Sequence, residues 1–223
     1  MVQKSVENAA QQPSARRGRP RAYDPDAALA RAVDAFWDAG FAATSLDDLS
    51  LATGMNRPSL YGAFGDKQAL YQKALDLYRA RTRDALAKAL GGEAPLRVAL
   101  RKVYDAAIEI YLSGHNGARG CFIIGTAVAQ AVTDPDIRAA LADTVREIDA
   151  ALAARIARAQ REGELSGDAN PAKLAKVAAA ALYSLTVHAR AGGARAALDA
   201  IADAAVDVIC GPAKKVGRMP TRA

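Results

Sequence analysis

The chain has few of the residues that build metal centres, disulfide frameworks or most catalytic sites. Its 223 residues include two cysteines, Cys121 and Cys210, and two histidines, His115 and His188. Two cysteines cannot form a disulfide framework, and without a Cys/His cluster no structural zinc site is expected. Aromatic residues make up 5% of the chain, with a single tryptophan. No apolar run reaches the roughly 18 residues of a membrane-spanning helix, and the longest, such as 177–187, are broken by Ser184 and Thr186. The N-terminus has basic residues but no apolar signal region, so the expectation is a soluble cytoplasmic protein. There is no glycine-rich phosphate loop after a strand and no nucleophile beside a base, so neither an enzyme nor a cofactor is expected.

Alanine is what the chain has in abundance, at 55 residues. Alanine loses no side-chain entropy on entering a helix, so an all-α fold is expected. Apolar periodicity and stop signals divide the chain into nine helices and no strand. The first, 24–39, carries Leu29, Val33, Phe36 and Trp37 on one face, with Asp24 as cap and Gly40 as stop. Short helices follow at 46–53 and 57–63, then a long one over 67–90 ending at Gly91-Gly92. Five more are expected at 95–112, 121–132, from Pro135 to about 160, 171–190 and 194–210. The last bears Asp199, Asp203 and Asp207 at one-turn spacing, which reads as a solvated acidic face.

The net charge of +6 is not spread evenly. Residues 1–22 carry +4, and residues 211–223 carry +4. The segments 23–90 and 91–210 each carry −1. Both tails are rich in Pro, Gly and polar residues and read as disordered in isolation. The C-terminal tail suits solubility. In the N-terminal tail, Arg16-Arg17-Gly18-Arg19-Pro20-Arg21 abuts the first helix, where an arginine-rich arm can follow phosphates or enter a minor groove.

Residues 44–64 hold two short helices around a Thr53-Gly54 turn, the pattern of a helix-turn-helix. The surrounding stretches are Gly18-Arg19-Pro20-Arg21, Ala35-Phe36-Trp37-Asp38-Ala39-Gly40-Phe41, Thr44-Ser45-Leu46-Asp47-Asp48-Leu49, Thr53-Gly54-Met55-Asn56-Arg57-Pro58-Ser59-Leu60-Tyr61 and Phe64-Gly65-Asp66-Lys67. Together they resemble the N-terminal domain of the TetR family of transcriptional repressors over roughly residues 18–80. The resemblance implies a homodimer on a pseudo-palindromic double-stranded DNA operator, with the third helix in the major groove. It implies phosphate contacts from Thr44, Ser45 and Lys67, and a phosphate or base contact from Tyr61. Asn56, Arg57 and Ser59 fall where base readers sit, which suits Arg for guanine and Asn for adenine. Arg19 and Arg21 belong to the arm. Two positions depart from the family pattern: Gly62, where relatives often carry a larger side chain, and Pro58.

The implied organisation is an arm over 1–22, a DNA-binding domain over 23–66 and an effector-binding and dimerisation domain over 67–210. Helix 67–90 connects the last two, and a basic tail occupies 211–223. The effector site is expected among Tyr78, Tyr104, Ile108, Tyr111, His115, Cys121, Phe122 and Thr126, an apolar set with a few polar groups. Helices 171–190 and 194–210 carry small residues on their packing faces and are expected to form the two-fold interface. Two alternatives stand beside the small-effector repressor. Cys121, after Arg119-Gly120 at a helix start, could sense electrophiles or oxidants as a stabilised thiolate. The chain could also be a DNA-binding regulator with no small ligand.

Overall fold

A computed structural model describes residues 24–114 and 117–212. The arm with Arg19 and Arg21, His115, and the tail beyond 212 lie outside the described residues. The described chain is helical, with no strand among these residues. The helices are α1 (Pro25–Ala43), α2 (Leu46–Thr53), α3 (Arg57–Phe64), α4 (Lys67–Leu90), α5 (Leu96–Leu112), α6 (Val128–Gln130), α7 (Pro135–Arg161), α8 (Pro171–Arg190) and α9 (Arg195–Cys210).

Six helices, α1–α4, α7 and α8, begin on side-chain caps, which satisfy amides that a helix start otherwise leaves open. The Asp24 carboxylate accepts from the Asp26 and Ala27 amides, Asn56 from Ser59, and Asp66 from Ala69. Ser45 and Asp48 form a reciprocal capping box at the start of α2. Asp134 and Asn170 cap α7 and α8 in the same way.

Two elements differ from the sequence expectation. The chain kinks at Gly40, as its stop signal predicts, but resumes a helical turn to Ala43, because Gly40 takes φ 81° and ψ 165°. The expected 121–132 helix is instead a π-helical segment, Ile123–Ala127, followed by the three-residue α6. The Thr126 hydroxyl donates to the Phe122 carbonyl, and Arg190 takes the Gly125 carbonyl. The Gly125 carbonyl, which accepts from Arg190, lies within this widened turn.

Two cores form. The first joins α1–α4 to the π segment and is rich in rings: Phe36, Trp37, Tyr71, Tyr78 and Phe122. The second lies among α5, α7, α8 and α9 and is built from leucines, isoleucines and many alanines, including Ala175, Ala178, Ala179 and Ala202. Alanine at these positions lets helix backbones approach closely. The acidic stripe of α9 is exposed at Asp203 and Asp207, as expected, but it is also paired. Arg101 of α5 binds Asp105 at 2.9 Å, Asp199 at 2.6 Å and also Asp203. Arg97 binds Asp207 at 2.6 Å, and Arg195 binds Glu109 at 2.6 Å. The stripe is one side of an α5–α9 ladder.

Candidate nucleic-acid interface and ligand cavity

The exposed side of α3 displays Asn56, Arg57, Pro58, Tyr61 and Gly62, with Ser59 partly covered. Tyr61 is 47% exposed, unusual for an aromatic that has no packing role. Leu60 and Phe64, on the opposite side, anchor the helix in the ring-rich core. Arg57 is held in place by a forked pair with Asp47 of α2, at 2.7 to 3.0 Å. The Asn56 side-chain oxygen is occupied as the α3 cap, leaving its amide N–H2 group outward. Lys67 sits at the start of α4 with Nζ 4.4 Å from the centre of the Phe41 ring. Ser45 keeps its hydroxyl within the capping box.

Thr44 departs from the expected phosphate role. It is 1% exposed, and its hydroxyl donates to the Gly40 carbonyl at 2.7 Å. It closes the kinked end of α1, a task the sequence pattern could not separate from N-capping α2. Gly62 has open space around the position of a side chain, so a larger residue there would stand free on the exposed face.

Behind this head lies a cavity of about 300 Å³ where the two cores meet. Trp37, Tyr78 and Ile123 belong to one core, and Leu86, Tyr111 and Leu182 to the other. Of the expected effector residues, Tyr78, Tyr111 and Cys121 line it. Tyr104, Ile108, Phe122 and Thr126 do not. The Tyr104 hydroxyl donates to the Ala178 carbonyl at 3.1 Å, inside the α5–α8 packing. Ile108 is fully buried in the alanine-rich core. Phe122 packs among Trp37, Tyr71 and Tyr78. Thr126 accepts from the Tyr71 hydroxyl at 2.8 Å. Helical periodicity puts all of these on buried faces but does not tell a packed face from one bordering a void. Trp37, Arg119, Thr144 and Tyr183 line the cavity without having been expected there, because their faces read as core, loop or dimer contact.

Cys121 lies at the cavity wall and accepts a long hydrogen bond from the Tyr78 hydroxyl at 3.7 Å. Burial pushes its thiol up, against smaller opposing pulls from the Ile123 and Ile124 amides and the Tyr78 and Tyr111 hydroxyls. The arginine expected to stabilise a thiolate is engaged elsewhere. Arg119 stacks on Trp37, 3.9 Å from the ring centre, and binds Asp34 at 2.8 Å. Burial also holds the Tyr78 and Tyr111 hydroxyls well above their ordinary values, so both stay protonated donors.

The cavity wall is joined to both neighbours by a clasp. The Trp37 indole N–H donates to the Gly120 carbonyl at 3.0 Å. Arg190, at the end of α8, donates to the carbonyls of Arg119 at 2.9 Å, Gly125 at 3.0 Å and Trp37 at 3.3 Å. A Cβ on Gly125 would lie 2.8 Å from the Arg190 guanidinium carbon, so a side chain there would displace the guanidinium from its place. Segment 119–125 therefore touches the cavity, α1 and α8 at once.

Comparison with known proteins agrees with this architecture. Residues 28–74 match the family model described as bacterial regulatory proteins, tetR family, and residues 97–205 match the tetracyclin repressor-like C-terminal domain. The chain is 32% identical over 177 residues to the HTH-type transcriptional repressor ComR of Escherichia coli, covering 79% of this chain and 84% of ComR. It is 32% identical to a cysteine-substituted form of the TetR family regulator CifR, solved with a 26-bp operator DNA; the match has a TM-score of 0.73 and covers 84% of this chain and 98% of that one. The reduced form of Escherichia coli NemR shares the fold at 21% identity, with a TM-score of 0.73 and coverage of 85% and 98%. No helix among the described residues is long and apolar enough to cross a membrane. The helix-turn-helix with its exposed third helix, the two family matches and the extended likeness to ComR make the chain a member of the tetR family of DNA-binding transcriptional regulators.

Proposed function

We propose that the protein is a homodimeric cytoplasmic repressor that leaves a pseudo-palindromic operator when a small molecule enters the cavity at the seam of the two cores. The observation that carries this reading is the shared segment 119–125, which forms cavity wall and also binds α1 and α8. A ligand that moves this segment changes where α1 holds the helix-turn-helix. That gives it differential affinity for two head positions, the requirement for shifting an equilibrium.

The working division is a DNA-reading head over 23–66 and an effector and dimer body over 67–210. Arg57, Ser59, Tyr61 and the Asn56 amide group form the reading face, with Ser45 and Lys67 beside phosphates. The Arg57–Asp47 pair holds the guanidinium in a fixed orientation before DNA arrives, and Arg57 exchanges that partner for a base edge. Dimerisation uses α8 and α9, whose exposed stripe includes Val177, Ala180, Val187, Ala204 and Val208. The arm over 1–22 supplies much of the electrostatic affinity, since the segment 23–90 carries a charge of −1. Deleting residues 1–21 then flattens the salt dependence of DNA binding, which runs near −0.9 per phosphate neutralised.

The decisive experiment binds the purified protein to fragments of its own upstream DNA and challenges the complex with a metabolite panel. Release by one compound, with a dimer in light scattering, supports the reading. Tight operator binding that no compound disturbs leaves a regulator without a small ligand.

A further inference from the structure

The composition of the cavity lining narrows what can occupy it, given the reading of the cavity as the effector site. Its walls are apolar over most of their extent, with Leu86, Ala107, Ile124, Val145 and Ile148 among them. Among the described residues that line it there is no Asp and no Glu. Several acids nearby, none of them in the lining, are held by basic partners. Asp34 and Asp38 face Arg119, Glu147 is held by Arg79 and Arg83, and Asp149 by Lys176. A cation entering this space loses its hydration and finds no counter-charge.

The polar side chains of the lining are hydroxyls, one thiol and the Arg81 and Arg119 guanidiniums, and none of them carries a negative charge. Tyr78, Tyr111 and Cys121 cluster on one wall. Tyr183 of α8 also lines the cavity, and its buried hydroxyl has no hydrogen-bond partner among the described residues. Buried hydroxyls are normally paired, so this one is a polar group in want of a partner, and it has a proton to donate. At the other edge of the lining, Arg81, Ala85, Ile110 and Ser113 are exposed and mark the mouth. Arg81 forms no ion pair among the described residues, although Arg79 and Arg83 on the same helix both bind Glu147.

We propose that the cavity selects a small apolar molecule that bears an oxygen acceptor and no positive charge, with Tyr183 donating to that oxygen and Arg81 favouring an anionic head at the mouth. A carbonyl compound and a carboxylate share this chemistry, and Arg81 distinguishes them.

Trp37 is the only tryptophan of the chain and lines the cavity, so its fluorescence reports occupancy. The test titrates the full-length protein with three cyclohexyl probes, cyclohexyl methyl ketone, cyclohexanecarboxylate and cyclohexylmethylammonium, with excitation at the red edge of tryptophan, beyond the weak carbonyl band of the ketone. The ketone and the carboxylate are expected to bind at least about tenfold more tightly than the ammonium, a difference of about 1.4 kcal/mol. Arg81→Ala is expected to weaken the carboxylate several-fold and leave the ketone unchanged. Tyr183→Phe is expected to weaken both, and Ala107→Phe, which fills the space, to abolish both. An ammonium that binds as tightly as the ketone overturns the proposal, as does the failure of all three to bind. The same probes are then added to the protein on DNA that it has itself selected from random sequence. Ketone binding without DNA release overturns the effector reading but not the ligand class; release by the ammonium alone overturns the class but not the reading.

Discussion

The core under α1–α4 is packed with rings that meet edge to face, Trp37 with Tyr78 at 4.9 Å and Phe36 with Tyr71 at 5.1 Å. The core among α5, α8 and α9 is packed with alanines and leucines and is fenced on its outer side by the Arg97, Arg101 and Arg195 ion pairs. The difference follows from helix length. Two-turn helices such as α2 and α3 bury too little aliphatic surface to hold themselves in place, so tight caps and the large rings presented by α1 and α4 hold them. Helices of sixteen to twenty residues such as α8 and α9 gain from many small contacts along their length and can come close. The cavity lies between the two kinds of packing, where neither rule fills space.

The largest expected effect comes from removing a ring. Phe36→Ala, at a fully buried site, should cost about 3–5 kcal/mol. Hydrogen exchange should show protection lost over α1–α4 and retained in α8 and α9. Equal loss in both would mean that the cores unfold as one unit. A comparable probe is alkaline pH. Burial raises the Tyr71 hydroxyl to about 12 from an ordinary 10.0. The folded protein thus holds a proton that the unfolded chain releases, so this stability is complete below pH 10 and is lost as pH rises toward 12. Denaturant midpoints measured across that window should fall less steeply in Tyr71→Phe than in the parent, by about 2 kcal/mol over the interval.

Arg190→Met tests the seam. The cost should be roughly 1.5–2 kcal/mol, because three carbonyls lose a charged donor. Exchange should accelerate in residues 119–125 and at the end of α1, the Trp37 emission should change, and Arg190→Lys should not restore it, since an ammonium cannot span three carbonyls. A uniform loss of protection along α8 would make Arg190 a local helix cap and not a link. Arg101→Met in the fence should cost about 1 kcal/mol or less, and the difference should shrink at high salt. Gly62→Ala should stabilise by roughly 0.5 kcal/mol, because the site is an open helix interior where glycine only adds unfolded-state entropy. A destabilised Gly62→Ala protein would show that the α3 surface is more constrained than its open space suggests.

The helix-turn-helix was legible because its signals are local. Ser45, Asn56 and Asp66 cap the helices they precede, and Gly54 takes the left-handed turn between α2 and α3. The burial of Thr44 was not legible, because a hydroxyl between two helices can serve either the helix behind it or the one ahead. The cavity was only partly legible. Tyr78, Tyr111 and Cys121 line it, but Tyr104, Ile108, Phe122 and Thr126 satisfy the same apolar pattern while packing solidly. The acidic stripe of α9 is exposed at Asp203 and Asp207, as its pattern suggests, but its pairing was not legible because its partners, Arg97 and Arg101, lie about a hundred residues earlier in the chain.

The sequence by itself determined an all-α chain, most of its helix starts and stops, and a helix-turn-helix whose residues lie within one short stretch, because propensity, capping and turn chemistry act over a few residues. Only the tertiary structure decided where Arg119 and Arg190 are engaged, that the 121–132 segment winds as a π turn, and that a void remains between two well-packed cores. Those outcomes depend on what distant helices present to one another, and a void is the space that their packing leaves unfilled.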